Sequence, residues 1–372
     1  MQQPALHETP ARHLRAARPA RPVLYFAPKA LAERAAAFRA GFPGEVTFAV
    51  KANPDPAVIE NLARAGIAGF DVASPAEMAL VRGIAPAARL HYHNPIRSDA
   101  EIAEGVRRGC ASWSVDDPLQ LEKLLAARVP GLILVRLKLP VKGARYDFGS
   151  KFGADPAAAA ALLRRVARAG RKAGVTFHPG TQCPDPAAWT AYIRAAADAA
   201  RAAGVPLAHL NVGGGFPSAS AGPLAPIFDA IRDAVAAAFD APPPPLSCEP
   251  GRAMVADCFA LAARVKAVRA DGAAFLDDGI YGHLSEAPLI GTPRFAVLSP
   301  EGEERSAPAI PRTVFGPTCD SLDRLPEPAA LPADTREGDW MLFHGVGAYG
   351  QSNMTRFNGY GLADTVNVAR LL

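Results

Sequence analysis

A (β/α)8 barrel followed by a second, mostly β domain is the fold class that the sequence predicts. Between residues 24 and 255, eight short apolar runs alternate with Ala-rich stretches of helical spacing. Five of those helices open on a capping residue followed by proline, and after residue 256 the texture turns to short strands separated by Gly- and Pro-rich turns. Alternating strands and helices give a parallel sheet, and eight of each is the count of a closed barrel. A doubly wound open sheet has the same alternation and is the runner-up.

The runs, in order, are Thr47–Asn53, Gly69–Ser74, Leu90–Pro95, Trp113–Asp116, Leu132–Leu139, Val175–Thr181, His209–Gly215 and Leu246–Val255. Each is short and mostly β-branched, aromatic or leucine, which suits strands buried on both faces. Asp55-Pro56, Ser74-Pro75, Asp117-Pro118, Asp155-Pro156 and Asp185-Pro186 announce helices. The side-chain oxygen caps the first free N–H groups, and proline at the first helical position gives up nothing. The Pro242–Pro245 run reads as a stiff surface loop before the last barrel strand. Beyond residue 256, strands are expected around Val265–Arg269, Arg294–Leu298, Thr313–Phe315 and Trp340–Phe343. The expected organisation is a tail over 1–23 that contributes to the β domain, the barrel over 24–255, and the β domain over 256–372.

Composition narrows the function. With 372 residues, 49% hydrophobic and 20% charged, the chain has enough apolar surface for a large core. A net charge of +4 gives little support to nucleic-acid binding. The five cysteines are odd in number and scattered, without metal-type pairing, which argues against a disulfide framework and a metal site and fits a cytoplasmic protein. No apolar run approaches the length of a membrane span. Met1–Pro22 is Arg- and Ala-rich without an apolar signal core and reads as a tail; an organelle-targeting peptide is the alternative.

Barrel enzymes carry their reactive groups at the carboxyl ends of the strands. The first run bears Lys51, flanked by Val50 and Ala52. A strand-end lysine ordinarily keeps its ammonium in solvent, but one desolvated among apolar neighbours suits capture of a carbonyl. The seventh run ends in Gly213-Gly214-Gly215-Phe216-Pro217. A tight turn would look the same, yet barrel phosphate sites are commonly built after strands seven and eight, where exposed N–H groups bind the anion. The eighth run carries Cys248-Glu249-Pro250-Gly251-Arg252. Glu249 is either a surface charge or the partner of a protonated pyridine nitrogen, and Arg252 could add charge to a phosphate site. The sixth run ends in His178-Pro179-Gly180-Thr181, an imidazole and a hydroxyl at the same rim. Each alone is weak; together they describe a site for pyridoxal 5′-phosphate (PLP).

At these residues the sequence resembles the fold-type III PLP decarboxylases, the family of ornithine, lysine, arginine and diaminopimelate decarboxylases. The resemblance runs from about residue 24 to the C-terminus. It rests on Ala49–Asn53, Phe70–Ser74, Lys151-Phe152-Gly153, Gly213–Pro217, Glu249–Arg252, Gly316-Pro317-Thr318-Cys319-Asp320 and Gly347-Ala348-Tyr349. It implies that Lys51 forms the Schiff base with PLP, that Glu249 pairs with the ring nitrogen, and that His178 stacks on the ring. Asp71 and Arg136 would lie close to the cofactor. Thr181 stands where the family usually has a phosphate-binding serine, and Gly214, Gly215, Arg252 and Tyr349 would complete the phosphate site. A head-to-tail homodimer is also implied, with Cys319 and Asp320 reaching the partner's site. Cys319 would donate or position the proton that replaces the carboxylate, unless it is a passive buried thiol.

Asp320 follows the cysteine where ornithine and lysine decarboxylases carry an acid for the distal ammonium, so a small basic L-amino acid is expected, ornithine first and lysine next. The sequence also departs from the family. Leu289-Ile290 stands roughly where a Tyr-Asp pair would hold the tail amine, and Glu286 either substitutes or is a solvent-facing charge. His178-Pro179-Gly180-Thr181 replaces the usual His-Val-Gly-Ser, and Gly350-Gln351-Ser352-Asn353 after Tyr349 is unusual. A specialised biosynthetic amino acid or diaminopimelate is therefore the alternative substrate. A PLP racemase, a non-catalytic regulatory homologue and a plain phosphate-binding barrel are the competing classes.

Overall fold

Eight parallel strands close into a barrel in the computed structural model, which describes residues 6–140 and 151–372. In order they are Glu45–Ala49, Gly69–Val72, Arg89–Tyr92, Cys110–Val115, Leu132–Leu137, Ala173–Phe177, Leu210–Asn211 and Leu246–Cys248. The eighth strand pairs with the first through Ser247–Glu45 and Cys248–Val46, so the sheet has no free edge and the open-sheet alternative falls. All five expected proline-initiated helices form. Asp55, Ser74, Asp117, Asp155 and Asp185 each cap their helix by accepting a backbone N–H.

Two compact units divide the chain: residues 34–254, which hold the barrel, and residues 1–33 with 255–372. The expected boundary at residue 24 moves because Val23–Phe26 is a strand of the second unit, paired with Phe259–Val268 and with Asp364–Val368. The first five residues of the expected tail lie outside the described residues. The rest of it is structured: Thr9 caps the helix Pro10–Ala17, whose Leu14 is fully buried with Val23, Tyr25, Trp340 and Leu342. That burial, at roughly 1.5–3 kcal/mol for a leucine side chain, gives a short helix the tertiary support it lacks alone.

The barrel unit has an aromatic core outside the strands, where Phe216 packs on Trp189, Phe38 and Phe228. Strand alternation sends Leu90, Tyr92 and Trp113 to this outer, apolar side and His91, His93 and Ser112 to the lumen. The second unit is built on an eight-stranded sheet with a separate two-stranded sheet, Ala309–Arg312 against Ala329–Pro332. Its expected strands are present, but the short ones at Leu6–His7 and Asp364–Val368 had no clear alternation to announce them. No helix of the described residues is long and apolar enough to cross a membrane.

Candidate active site

The carboxyl ends of the barrel strands gather most of the expected groups. The first strand stops at Ala49, and Lys51 sits in the 3₁₀ turn Val50–Ala52 that follows. Its side chain is exposed, which corrects the desolvated strand lysine that the sequence suggested. Lys51 lies close enough to Asp71, Glu249 and His178 to act on all three electrostatically.

Gly213 (φ 68°) and Gly215 (φ 86°) have left-handed backbones after the seventh strand. A Cβ at 213 would meet the Phe177 carbonyl oxygen at 1.9 Å, and one at 215 the Gly180 oxygen at 2.2 Å. At Gly214 it would meet the Glu249 carbonyl oxygen at 2.8 Å and His178 Nε2 at 3.1 Å. Glycine is required at this crossing of three strand ends, which leaves backbone N–H groups open to an anion. The Thr181 loop is tied to it by Cys183 N–H donating to Gly215 O at 2.9 Å, and Thr181 is buried there. Arg252, also buried, opens the helix Arg252–Val255.

His178 accepts the Gly180 N–H on Nδ1 at 3.1 Å, so its proton resides on Nε2. Burial, with Lys51 and Arg136 nearby, pushes this imidazole down to about 3, and it is neutral at physiological pH. Arg136, on the fifth strand, lies 5.1 Å over the Phe152 ring, and the neighbouring Gly153 N–H donates to Asp116 Oδ2 at 2.7 Å. The Lys151-Phe152-Gly153 turn is thereby fastened to the rim.

Glu249 follows the eighth strand, and its side chain is only 11% exposed. His93 Nδ1 and Asn211 Nδ2 both donate to its Oε1. Burial opposes the charge, yet His93, these hydrogen bonds and Lys51 hold the carboxyl below its ordinary range. His93 moves the other way: burial opposes its charge, but Glu249 and Asp71 raise it above the usual imidazole value. Asp71, at the end of the second strand, lies 3.7 Å from His93 Nδ1, and burial and the Glu249 charge raise its carboxyl.

The sequence reading passed over His93, Asn211 and Ser112. Their partners lie 156, 38 and 19 residues away, and only barrel closure brings them together. A signal existed in the strand period. His91 and His93, two residues apart, keep the two-residue period across the end of the third strand, as do Ser247 and Glu249 across the end of the eighth.

The other expected residues belong to the β unit. Cys319 is exposed, not the buried thiol that was its alternative, and its N–H donates to Asn358 Oδ1 at 3.0 Å. Asp320 accepts the Tyr281 hydroxyl and, at 3.0 Å, the Leu322 N–H. The Tyr281 hydrogen bond holds its carboxyl below the ordinary value. Asp323, almost fully buried, accepts the N–H groups of Ile280 and Thr318, each at 3.0 Å, and so staples this loop. Glu286 Oε1 accepts from Asn353 Nδ2 at 3.5 Å, and Tyr349 has a left-handed backbone (φ 65°) before the helix Gly350–Asn353.

The sequence profile described as pyridoxal-dependent decarboxylase, pyridoxal binding domain, matches residues 29–256, more than half of the chain. The chain belongs to the pyridoxal-dependent decarboxylases. It is 30% identical over 344 residues to ornithine decarboxylase of Caenorhabditis elegans, covering 85% of this chain and 79% of that protein. The chloroplastic ornithine decarboxylase of Nicotiana glutinosa is 33% identical, with 86% of this chain and 77% of that protein covered. Among solved structures, lysine decarboxylase from Selenomonas ruminantium is similar with a TM-score of 0.84 and 29% identity, over 98% of this chain and 96% of that one. As a pyridoxal-dependent decarboxylase it is an enzyme acting on an amino acid, with PLP as its cofactor. The residues present fit that group: a side-chain-free cradle for the phosphate beside a buried carboxylate for the ring.

Proposed function

We propose that the enzyme decarboxylates a basic L-amino acid, ornithine first and lysine next, to the diamine and carbon dioxide. The observation that carries this reading is the convergence of the Lys51 turn, the Gly213–Gly215 cradle and the anionic Glu249 on one barrel rim. Its relatives named as ornithine decarboxylases, and the lysine/ornithine decarboxylase of Vibrio vulnificus solved with putrescine (TM-score 0.81, 27% identical), support the substrate class.

Bound PLP supplies an electron sink for the charge left when carbon dioxide departs. In this reading Lys51 carries the cofactor covalently, and Gly214, Gly215, Thr181, Arg252 and Tyr349 hold its phosphate. Glu249 accepts the ring N–H. The neutral imidazole of His178 can pack on the ring face without adding a competing cation. Asp71 and Arg136 set the charge around Lys51. Cys319 delivers the proton to Cα, and Asp320, with Glu286, binds the distal ammonium. Asp320 is suited to that task because its hydrogen bonds keep it anionic in an exposed loop. Cys319 and Asp320 would serve the site of a second copy in a homodimer. The five free cysteines are consistent with the cytoplasm.

The test is carbon dioxide release by PLP-loaded protein with ornithine, lysine, arginine and diaminopimelate, with Lys51→Ala as control. Turnover of ornithine or lysine, lost in the control, is expected. Turnover of diaminopimelate or none of the four, with cofactor bound, would overturn the substrate assignment.

A further inference from the structure

A carboxylate as enclosed as Glu249 takes up a proton unless a partner holds it charged. A protonated Glu249 would be a poor acceptor for a ring N–H, so whatever keeps it ionised governs how well the cofactor withdraws electrons. Lys51 contributes from a distance, but the groups that touch the carboxylate are His93 and Asn211.

We propose that His93 and Asn211 clamp Glu249 by its Oε1, holding it as an anion with Oε2 turned to the cofactor's ring nitrogen. His93 is here a positioning residue that acts through Glu249. The inference deepens the reading of Glu249 above and rests on it.

Both hydrogen bonds end on Oε1, so Oε2 is the oxygen left by the clamp. The orientation of Asn211 is set independently: its Oδ1 accepts the Gly213 N–H at 2.8 Å, which obliges Nδ2 to face Glu249. His93 is fixed at both ends. Its Nε2 meets Ser112 Oγ at 2.7 Å, and its backbone carbonyl accepts the Ser114 hydroxyl at 2.7 Å. The buried Arg97 guanidinium secures the turn by donating to the carbonyls of Tyr92, at 3.0 Å, and Asn94.

Ser112 Oγ also meets His91 Nδ1 at 2.8 Å. One hydroxyl between two imidazoles can donate to only one of them. Burial holds His91 down at about 3, so it is neutral, and in the tautomer that carries its proton on Nε2, 4.0 Å from Glu45 Oε1, its Nδ1 accepts the serine proton. The Ser112 oxygen is then free to accept from His93 Nε2, and His93 donates from both nitrogens, as an imidazolium does. Donation thus runs outward from His93 both ways, through Ser112 to His91 on one side and directly to the Glu249 anion on the other. The charged and polar groups facing His93 are Asp71, His91, Arg97, Ser112, His209, Asn211 and Glu249. Of these, the two carboxylates favour its charge, while Arg97 opposes it.

The test compares His93→Leu, which removes the donor, with His93→Asn, whose amide can replace the Nδ1–H. In the apo-protein, NMR titration of the His93 ring in wild type and Glu249→Gln reads the coupling without cofactor; its pKa should fall by at least about one unit in the variant. In the loaded enzyme, His93→Leu should lose about tenfold in PLP affinity and in kcat, with KM within about twofold, and shift the pH titration of the cofactor's absorbance. His93→Asn should recover most of each loss. Wild-type values in His93→Leu, an unchanged His93 titration in Glu249→Gln, or His93→Asn no better than leucine would overturn the clamp. Full activity in Glu249→Gln would instead sink the underlying reading of Glu249.

Discussion

Glu249 and Asp320 are two carboxylates that the protein keeps anionic by opposite means. Glu249 is enclosed in the barrel and needs a charged imidazole and an amide to stay ionised against desolvation. Asp320 lies in an exposed loop of the β unit and needs only the Tyr281 hydroxyl and one backbone N–H to aim it. In low-dielectric surroundings each partner matters greatly, whereas in water the solvent replaces a lost one. The barrel rim should therefore be intolerant of change and the loop forgiving.

Variants of the rim probe the first half of that contrast and should have the largest effects. Lys51→Ala should lower turnover by at least about a thousandfold, and borohydride reduction followed by peptide mapping should find the cofactor on Lys51 in wild type alone. Gly213→Ala should weaken PLP binding by about a hundredfold, measured by reconstitution of apo-enzyme. Its Cβ would lie 1.9 Å from the Phe177 oxygen at φ 68°, so the cradle must open. The contrast breaks if this substitution proves silent.

The loop variants come next. Asp320→Asn should raise KM for ornithine about tenfold while leaving PLP affinity unchanged, and Tyr281→Phe should raise KM only about two- to threefold. Equal losses in the two would mean that orientation, not charge, is what the loop supplies.

The smallest effect concerns stability against pH. Glu249 is held below its ordinary value, so its contribution is present above roughly pH 4.3 and is lost as pH falls through the folded value. His93 is raised, so its contribution is present below roughly pH 6.5 and is lost as pH rises through the folded value. The pair thus supports the fold most fully between those limits. The Tm difference between wild type and His93→Leu should be widest there, and a difference independent of pH would contradict the ion pair.

The barrel was legible in the sequence because its signals are local. Capping residues before prolines and apolar runs of strand length need no distant partner, and all five such helices and eight such strands form. Gly213–Gly215 and Glu249 were legible because they fall at strand ends, where barrel chemistry resides. His93 was not, since a single imidazole has meaning only beside Glu249, which the closed barrel brings across from the eighth strand. The environment of Lys51 was misread for a related reason: local sequence shows apolar neighbours, whereas exposure depends on where the strand stops. The helix Pro10–Ala17 was missed because an Arg- and Ala-rich stretch shows its purpose only once Leu14 finds its pocket.

Asn211 joins the Gly213 amide to the Glu249 carboxylate through a single side chain, on strands that are themselves hydrogen-bonded neighbours. The spacing between those two sites is thus a gauge machined into the sheet rather than into any loop. Under the role proposed for Asp320, substitutions around it would change the diet of the catalyst without recalibrating the part that performs the chemistry.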